Sequence, residues 1–135
     1  MKLEGGCHCG AVRYAVEGDP KYAALCHCSD CRKASGAPVV AWAAFAEADF
    51  ALTQGQPVTR NSSGQSMRSF CAECGTGLWF RNAEVLPGIV DIQSATLDDP
   101  EALVPQVQVQ VADRIGWMAE AHRLPEFARF PSTGG

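Results

Sequence analysis

Seven cysteines occur in the chain, and every one belongs to a cluster: Cys7 and Cys9 in "CHC", Cys26, Cys28 and Cys31 in "CHCSDC", Cys71 and Cys74 in "CAEC". Thiolates at such spacings suit zinc. The ion holds sulfur tetrahedrally at about 2.3 Å, so its ligands must converge on a small sphere, and one turn or strand end can deliver several. In a C-x-C on extended chain, residues two apart project to the same face. That spacing sends His8 and His27 the other way, as outward spacers. The C-x-x-C is the usual zinc knuckle, and Gly75 and Gly77 behind it let the backbone turn tightly beneath a metal. An odd number of cysteines without an export signal argues against a disulfide framework.

Seven ligands suggest four plus three. The preferred division joins the isolated pairs, Cys7 and Cys9 with Cys71 and Cys74, in a closed site that staples the N-terminal segment to the middle of the chain. A competing division pairs Cys28 and Cys31 with Cys71 and Cys74 as a long-looped ribbon and leaves Cys7, Cys9 and Cys26 over. Four thiolates close the shell of a structural zinc, whereas three protein ligands with an open fourth position are the pattern of a catalytic one. On the preferred division, water or substrate completes the trio of Cys26, Cys28 and Cys31. Three thiolates leave a formal charge of about −1 on the site and make the zinc a weak Lewis acid suited to a soft, anionic sulfur. A substrate thiol bound there would be held as thiolate. Arg32 and Lys33 follow the trio and could offset its charge or hold a substrate carboxylate. The plainer alternative is a structural trio completed by a histidine, a carboxylate or a persistent water.

The elements that must position these thiols read mainly as strand. Candidates are "AVRYAV" (11–16), "PVVAWAAF" (38–45), "SMRSF" (66–70), "TGLWF" (76–80), "GIVDIQSA" (88–95) and "QVQVQV" (106–111). In the last, valines alternate with glutamines, so one face should be buried. Between Cys31 and Gly36 the run "RKAS" (32–35) permits one short helical turn, with Ser29 as N-cap and Gly36 as stop. "LDDPEAL" (97–103) reads as a turn opening a short helical segment, and "PSTGG" (131–135) as a frayed end.

The 135 residues suit one domain, 1–135. Eleven basic against fifteen acidic residues give a net charge of −4 without a basic stripe, so nucleic acid is not the expected partner. No apolar run approaches the roughly 18 residues of a membrane-spanning helix. Met1 to Gly6 lacks the apolar core of a secretory signal, and a soluble, cytoplasmic protein is expected.

"GGCHCGAVRY" (5–14), "CHCSDCRKASGAP" (26–38), "FCAECGTGL" (70–78) and "ATLDDP" (95–100) together resemble the family of glutathione-dependent formaldehyde-activating enzymes, which includes the centromere protein V group. The motifs match in order across most of the chain. The resemblance implies a mainly β fold of twisted antiparallel sheets, tent-like, around a structural zinc, with short helical turns. It implies two zincs: a structural one on Cys7, Cys9, Cys71 and Cys74, and a second, catalytic one on Cys26, Cys28 and Cys31. It also implies a carbon–sulfur lyase that joins or separates a thiol such as glutathione and a small aldehyde such as formaldehyde. Fold and zinc sites can outlast a change of substrate. A non-catalytic carrier of the glutathione adduct and a zinc-stabilised interaction module are the competing classes.

Other residues have simpler readings. Trp42, Trp79 and Trp117 are expected as core or interface aromatics, with Trp42 the best candidate for a substrate-pocket wall. His122 reads as solvated, Asp98 and Asp99 as capping or solvating the turn before Pro100, and Arg13 as a solvated charge. Asp30 lies between two ligands of the trio and could bear on their surroundings or simply on the surface.

Overall fold

Side chains on a strand alternate between two faces, and this alternation decides what each sheet can do. The computed structural model describes residues 1–131. Its strands are β1 (Lys2–Gly6), β2 (Arg13–Glu17), β3 (Tyr22–Cys26), β4 (Val40–Ala46), β5 (Phe50–Gln54), β6 (Val58–Ser63), β7 (Ser66–Phe70), β8 (Gly77–Asn82), β9 (Ile89–Gln93) and β10 (Val107–Val109). One α-helix, α1 (Ser29–Ser35), joins β3 to β4. The strands form a three-stranded sheet in the order β1-β2-β5 and a seven-stranded sheet in the order β10-β3-β4-β9-β8-β7-β6. All strand pairs are antiparallel except β10 with β3. The fold is thus mainly β, as the sequence suggests.

The core lies between the two sheets. Ala43 and Phe45 of β4, Trp79 of β8, and Val90 and Ile92 of β9 are buried against Tyr14 and Val16 of the smaller sheet and Val12 just before it. Tyr14 and Phe50 meet the Trp79 ring edge-on, with centroids 5.8 and 4.8 Å away. Each such side chain contributes roughly 1.5–3 kcal/mol by leaving water.

The other face of the large sheet carries different chemistry. Cross-strand pairing puts Tyr22, Ala44, Asp91, Phe80, Arg68 and Arg60 in one row from β3 to β6. Directly opposed residues share a face, so an acid, a phenol and two guanidiniums stand on the same side as Trp42 and Cys26.

Several expectations need correction. Cys28, not Ser29, caps α1: its backbone is extended and its Sγ accepts the Cys31 N–H at 3.2 Å. Gly36 ends the helix as expected, at φ 63°. The valines of "QVQVQV" are not buried; Val107 is 53 % exposed. As a three-residue edge strand, β10 has a neighbouring strand on one side only. Residues 97–103 form turns and bends without a helix. Arg13 is not a lone solvated charge, because its guanidinium grips both oxygens of Asp98 at 2.8 and 2.5 Å. Asp99 does cap its turn, accepting the Glu101 N–H at 3.0 Å. Trp42 and Trp79 are buried, but Trp117 lies 60 % exposed at the surface. Residues 132–135 of the expected frayed end lie outside the described residues. Among the described residues, no helix is long and apolar enough to cross a membrane.

Candidate active site

The sulfurs gather into two groups, Cys7, Cys9, Cys71 and Cys74 in one and Cys26, Cys28 and Cys31 in the other, with every sulfur of a group within 4.8 Å of its companions. Cys7 and Cys9 follow β1 of the small sheet, and Cys71 and Cys74 follow β7 of the large one. The first group therefore ties the sheets together. Its sulfurs stand 3.7 Å apart from Cys7 to Cys9 and 3.8 Å from Cys9 to Cys71. A tetrahedron with arms of about 2.3 Å has edges of about 3.8 Å, so the spacing fits a zinc-sized ion. Backbone N–H groups already aim at the sulfurs: Val12 donates to Cys7 at 3.2 Å and Cys74 to Cys71 at 3.5 Å. Thr76 Oγ1 lies 3.2 Å from the Cys74 sulfur and accepts the His8 N–H at 3.1 Å.

The two glycines of this knuckle do different jobs. Gly75 sits at φ +82° and returns its N–H to the Cys71 carbonyl at 2.8 Å, which closes the turn. Gly77 opens β8 in ordinary extended backbone; a Cβ there would come within 2.5 Å of Gln93 Nε2. Its smallness clears space beside the sheet rather than turning the chain.

The second group sits where β3 ends and α1 begins. Cys26 closes β3, Cys28 caps the helix and Cys31 lies in its first turn, so an extended strand end and one helical turn bring three sulfurs together. Cys26 and Cys31 sulfurs are 3.8 Å apart, again the tetrahedral edge. Cys26 and Cys31 pack with Val40 and Trp42. Burial, with Cys28 adding to it, pushes the Cys31 thiol up to about 12, and Arg68 opposes the rise. Burial likewise raises Cys26. Positive charge nearby favours the thiolate form of such buried thiols.

These thiols open onto a cavity of about 220 Å³, whose walls include Tyr22, Ala24, Trp42, Phe80 and Asp91. A second cavity of about 240 Å³ lies on the other side of Trp42, towards the knuckle, and carries Arg60, Arg68, Gly75, Gly77 and Gln93. Trp42 is thus a wall common to both. The Arg68 guanidinium carbon lies over the Phe80 ring, 5.0 Å from its centroid, and two of its nitrogens approach the Cys31 sulfur at 3.8 and 4.0 Å. Its Nε donates to Ser62 Oγ at 3.0 Å, which fixes the fork.

Arg32 and Lys33 line neither cavity. Lys33 is exposed, Arg32 is half-buried on α1, and the cation beside the thiols is Arg68. Asp30 is exposed. His8 points outward as expected, but His27 does not: it is 1 % exposed, its Nε2 pairs with Gln108 at 2.8 Å, and its N–H bonds to Val109. The face away from the thiols is covered there by β10. Tyr22, Arg68 and Asp91 were not singled out from the sequence. Asp91 carried a signal, as a lone acid inside the apolar strand "GIVDIQ"; Arg68 and Tyr22 needed the cross-strand register.

Fold and site define a mainly β protein with one thiol cluster at the edge of its core, between the two sheets, and another beside a cavity. The family model for the glutathione-dependent formaldehyde-activating enzyme matches residues 2–113. A Halomonas elongata protein named "Putative glutathione-dependent formaldehyde-activating enzyme" is 30 % identical, over 97 % of this chain and 90 % of that protein. An uncharacterized lyase of Schizosaccharomyces pombe is 35 % identical over 58 % of this chain and 57 % of its own length. The crystal structure of a Rhodobacter sphaeroides protein shares the fold at a TM-score of 0.64 and 24 % identity, covering 78 % of this chain and 99 % of that one. The chain belongs to the family of glutathione-dependent formaldehyde-activating enzymes.

Proposed function

We propose that the protein is a zinc-dependent carbon–sulfur lyase acting on the adduct between a glutathione-type thiol and formaldehyde or another small aldehyde. The observation that carries this reading is the three-sulfur cluster of Cys26, Cys28 and Cys31 in a cavity wall, separate from the four-sulfur cluster that joins the sheets. Cys7, Cys9, Cys71 and Cys74 would hold a structural zinc, and Cys26, Cys28 and Cys31 a second one with room for an outside sulfur. When bound, the second zinc supplies a lowered thiol pKa, so that the substrate sulfur is held as thiolate near neutral pH.

The chain's own groups do the rest. Arg68 offsets the negative charge of the trio through Cys31. With Arg60 on the neighbouring strand it makes the second cavity cationic, and this suits a carboxylate of the thiol substrate. Trp42 and Phe80 form the apolar wall that holds a small aldehyde carbon away from water. Orientation alone gives such a site leverage, because the uncatalysed reaction is bimolecular and must find its geometry by collision.

Cys28→Ser tests the reading. The variant should fold, keep one metal and lose thiol-dependent turnover above the spontaneous reaction of thiol with aldehyde, measured as the initial rate of adduct formation. A folded variant with unchanged turnover refutes it. Tight thiol binding by the wild type without any rate above background would instead mark a carrier.

A second reading, an interaction module, is favoured by Trp117, Leu124, Phe127 and Phe130, which are each at least 60 % exposed and lie beyond the residues matched by the family. A stoichiometric protein partner in pull-down, with no thiol bound at millimolar concentration, would select it.

A further inference from the structure

Asp91 is a buried carboxylate that the protein pairs at only one of its two oxygens. It is 5 % exposed in the middle of β9, between the buried Val90 and Ile92, and a buried carboxylate without full pairing is costly. One oxygen, Oδ2, accepts the Tyr22 hydroxyl at 2.6 Å. The other, Oδ1, is buried with no partner in the protein. Asp91 also lines the cavity that holds Cys26, Cys28 and Cys31.

The surrounding sequence preserves this arrangement. Tyr22 and Asp91 stand two strand spacings apart, about 9–10 Å, with Ala44 between them in the row. Only a small residue there lets the tyrosine ring reach across. On β3, Tyr22, Ala24 and Cys26 share a face, and Ala24 keeps the floor between phenol and thiol low. The Tyr22 phenol, held protonated by burial and then by Asp91, is a donor committed to Oδ2. Oδ1 is left without a partner in the protein, on a residue that lines the thiol cavity.

We propose that Asp91 is the catalytic group that binds the oxygen of the aldehyde or of its thiol adduct through Oδ1 and exchanges a proton with it, while Tyr22 positions the carboxyl. The proposal rests on the thiol-site reading above and supplies its acid–base partner. In the forming direction the thiolate sulfur attacks the carbonyl carbon and a C–S bond forms. The π pair moves to oxygen, which takes the proton of the Asp91 carboxyl. In the reverse direction the Asp91 carboxylate removes the hydroxyl proton, C=O re-forms, and the C–S pair departs on sulfur. The proton lost when the incoming thiol ionises restores the carboxyl, so the cycle needs no oxidant or reductant. Burial pushes the Asp91 carboxyl up to about 6, against the Tyr22 hydrogen bond, which populates both of its states near neutral pH.

Two isosteric thiols separate this proposal from the reading it rests on. The metal-loaded protein is titrated calorimetrically with 2-mercaptoethanol and with 1-propanethiol, which differ only by hydroxyl against methyl. Wild type should bind 2-mercaptoethanol at least tenfold more tightly, and Asp91→Ala should lose that preference while still binding 1-propanethiol. Asp91→Asn keeps an oxygen to accept the Tyr22 hydroxyl and turns an amide N–H towards the oxygen of the ligand hydroxyl, so it should retain the fold and the preference. Without a proton to exchange, its rate for glutathione and formaldehyde should fall about a hundredfold with glutathione affinity unchanged. Binding of both thiols without preference, or an Asp91→Asn variant at the wild-type rate, overturns the role of Asp91 and leaves the thiol site standing. If neither thiol binds, the thiol-site reading fails, and the role of Asp91 fails with it.

Discussion

The two cysteine clusters use the same ligand at nearly the same spacing, yet they sit in opposite kinds of surroundings. The four-sulfur cluster joins two sheets, its Cys7 and Cys71 are counted among the core side chains, and its sulfurs receive backbone N–H groups from Val12 and Cys74. The three-sulfur cluster belongs to a single strand–helix junction, and its neighbours are a cavity, two aromatic rings and a guanidinium. What separates a staple from a site here is what stands around the thiols. On the proposed reading, four protein sulfurs from two sheets would leave a metal nothing to do but hold them, whereas three sulfurs from one junction would leave it an open position.

Breaking the clusters in turn should give effects of very different size. Cys71→Ser removes a buried ligand that links β7 to the N-terminal sheet, and structural zinc contributes on the order of 10 kcal/mol to folding in small domains. The expected result is loss of the cooperative fold in circular dichroism, with both metals absent by mass spectrometry. Cys28 is half-buried at a helix start, and Cys28→Ser should leave a cooperative melt and one metal equivalent. Equal loss of stability in the two variants would erase the distinction between staple and site.

Arg68 sharpens the same comparison, because the four-sulfur cluster shows no guanidinium at its sulfurs among the described contacts. A charge-assisted hydrogen bond is worth roughly 1.5–3 kcal/mol, so Arg68→Ala should weaken glutathione binding about 10- to 100-fold and leave the melting temperature nearly unmoved. Arg68→Lys should recover only part, since a point charge cannot reproduce the fork. Unchanged affinity in Arg68→Ala would move the anion site elsewhere on the row.

The sequence displayed the clusters better than their settings. The cysteine spacings, the strands at 66–70 and 76–80 and the Gly36 stop are local signals, and the chain obeys them. β1, β3, β5 and β6 went unread because "KLEGG", "YAALC", "FALTQ" and "VTRNSS" hold glycine, alanine and polar residues where strand-forming residues usually stand. Pairing, not propensity, makes them strands. The same reason hides the cavity. Tyr22, Asp91, Phe80 and Arg68 are scattered over nearly seventy positions, and only the register across five strands makes them neighbours. His27 shows the converse, since spacing correctly turned it away from the thiols but could not say that β10 covers that side.

The smallest effect expected lies at the Arg13–Asp98 pair, which helps to hold the stapled half together without touching any sulfur. The pair links β2 to the turn after Leu97, and its side chains are 30 and 54 % exposed. Solvent screens such a pair, and its bidentate geometry places it near the upper end of the usual range, about 1 kcal/mol. Arg13→Ala should therefore lower the melting temperature by only about 4 °C. The hydrogen bonds from Arg13 hold the Asp98 carboxyl below its ordinary range. A carboxylate with a depressed folded pKa stabilises fully above its unfolded value, about 3.9, and loses that contribution as pH falls through the folded value. The gap between wild type and Arg13→Ala should be constant from pH 7 down to about 5 and should close in stronger acid. A gap that stays open in acid would mean that Arg13 acts by packing its stem over β1, and the pair would then contribute to the staple through contact rather than charge.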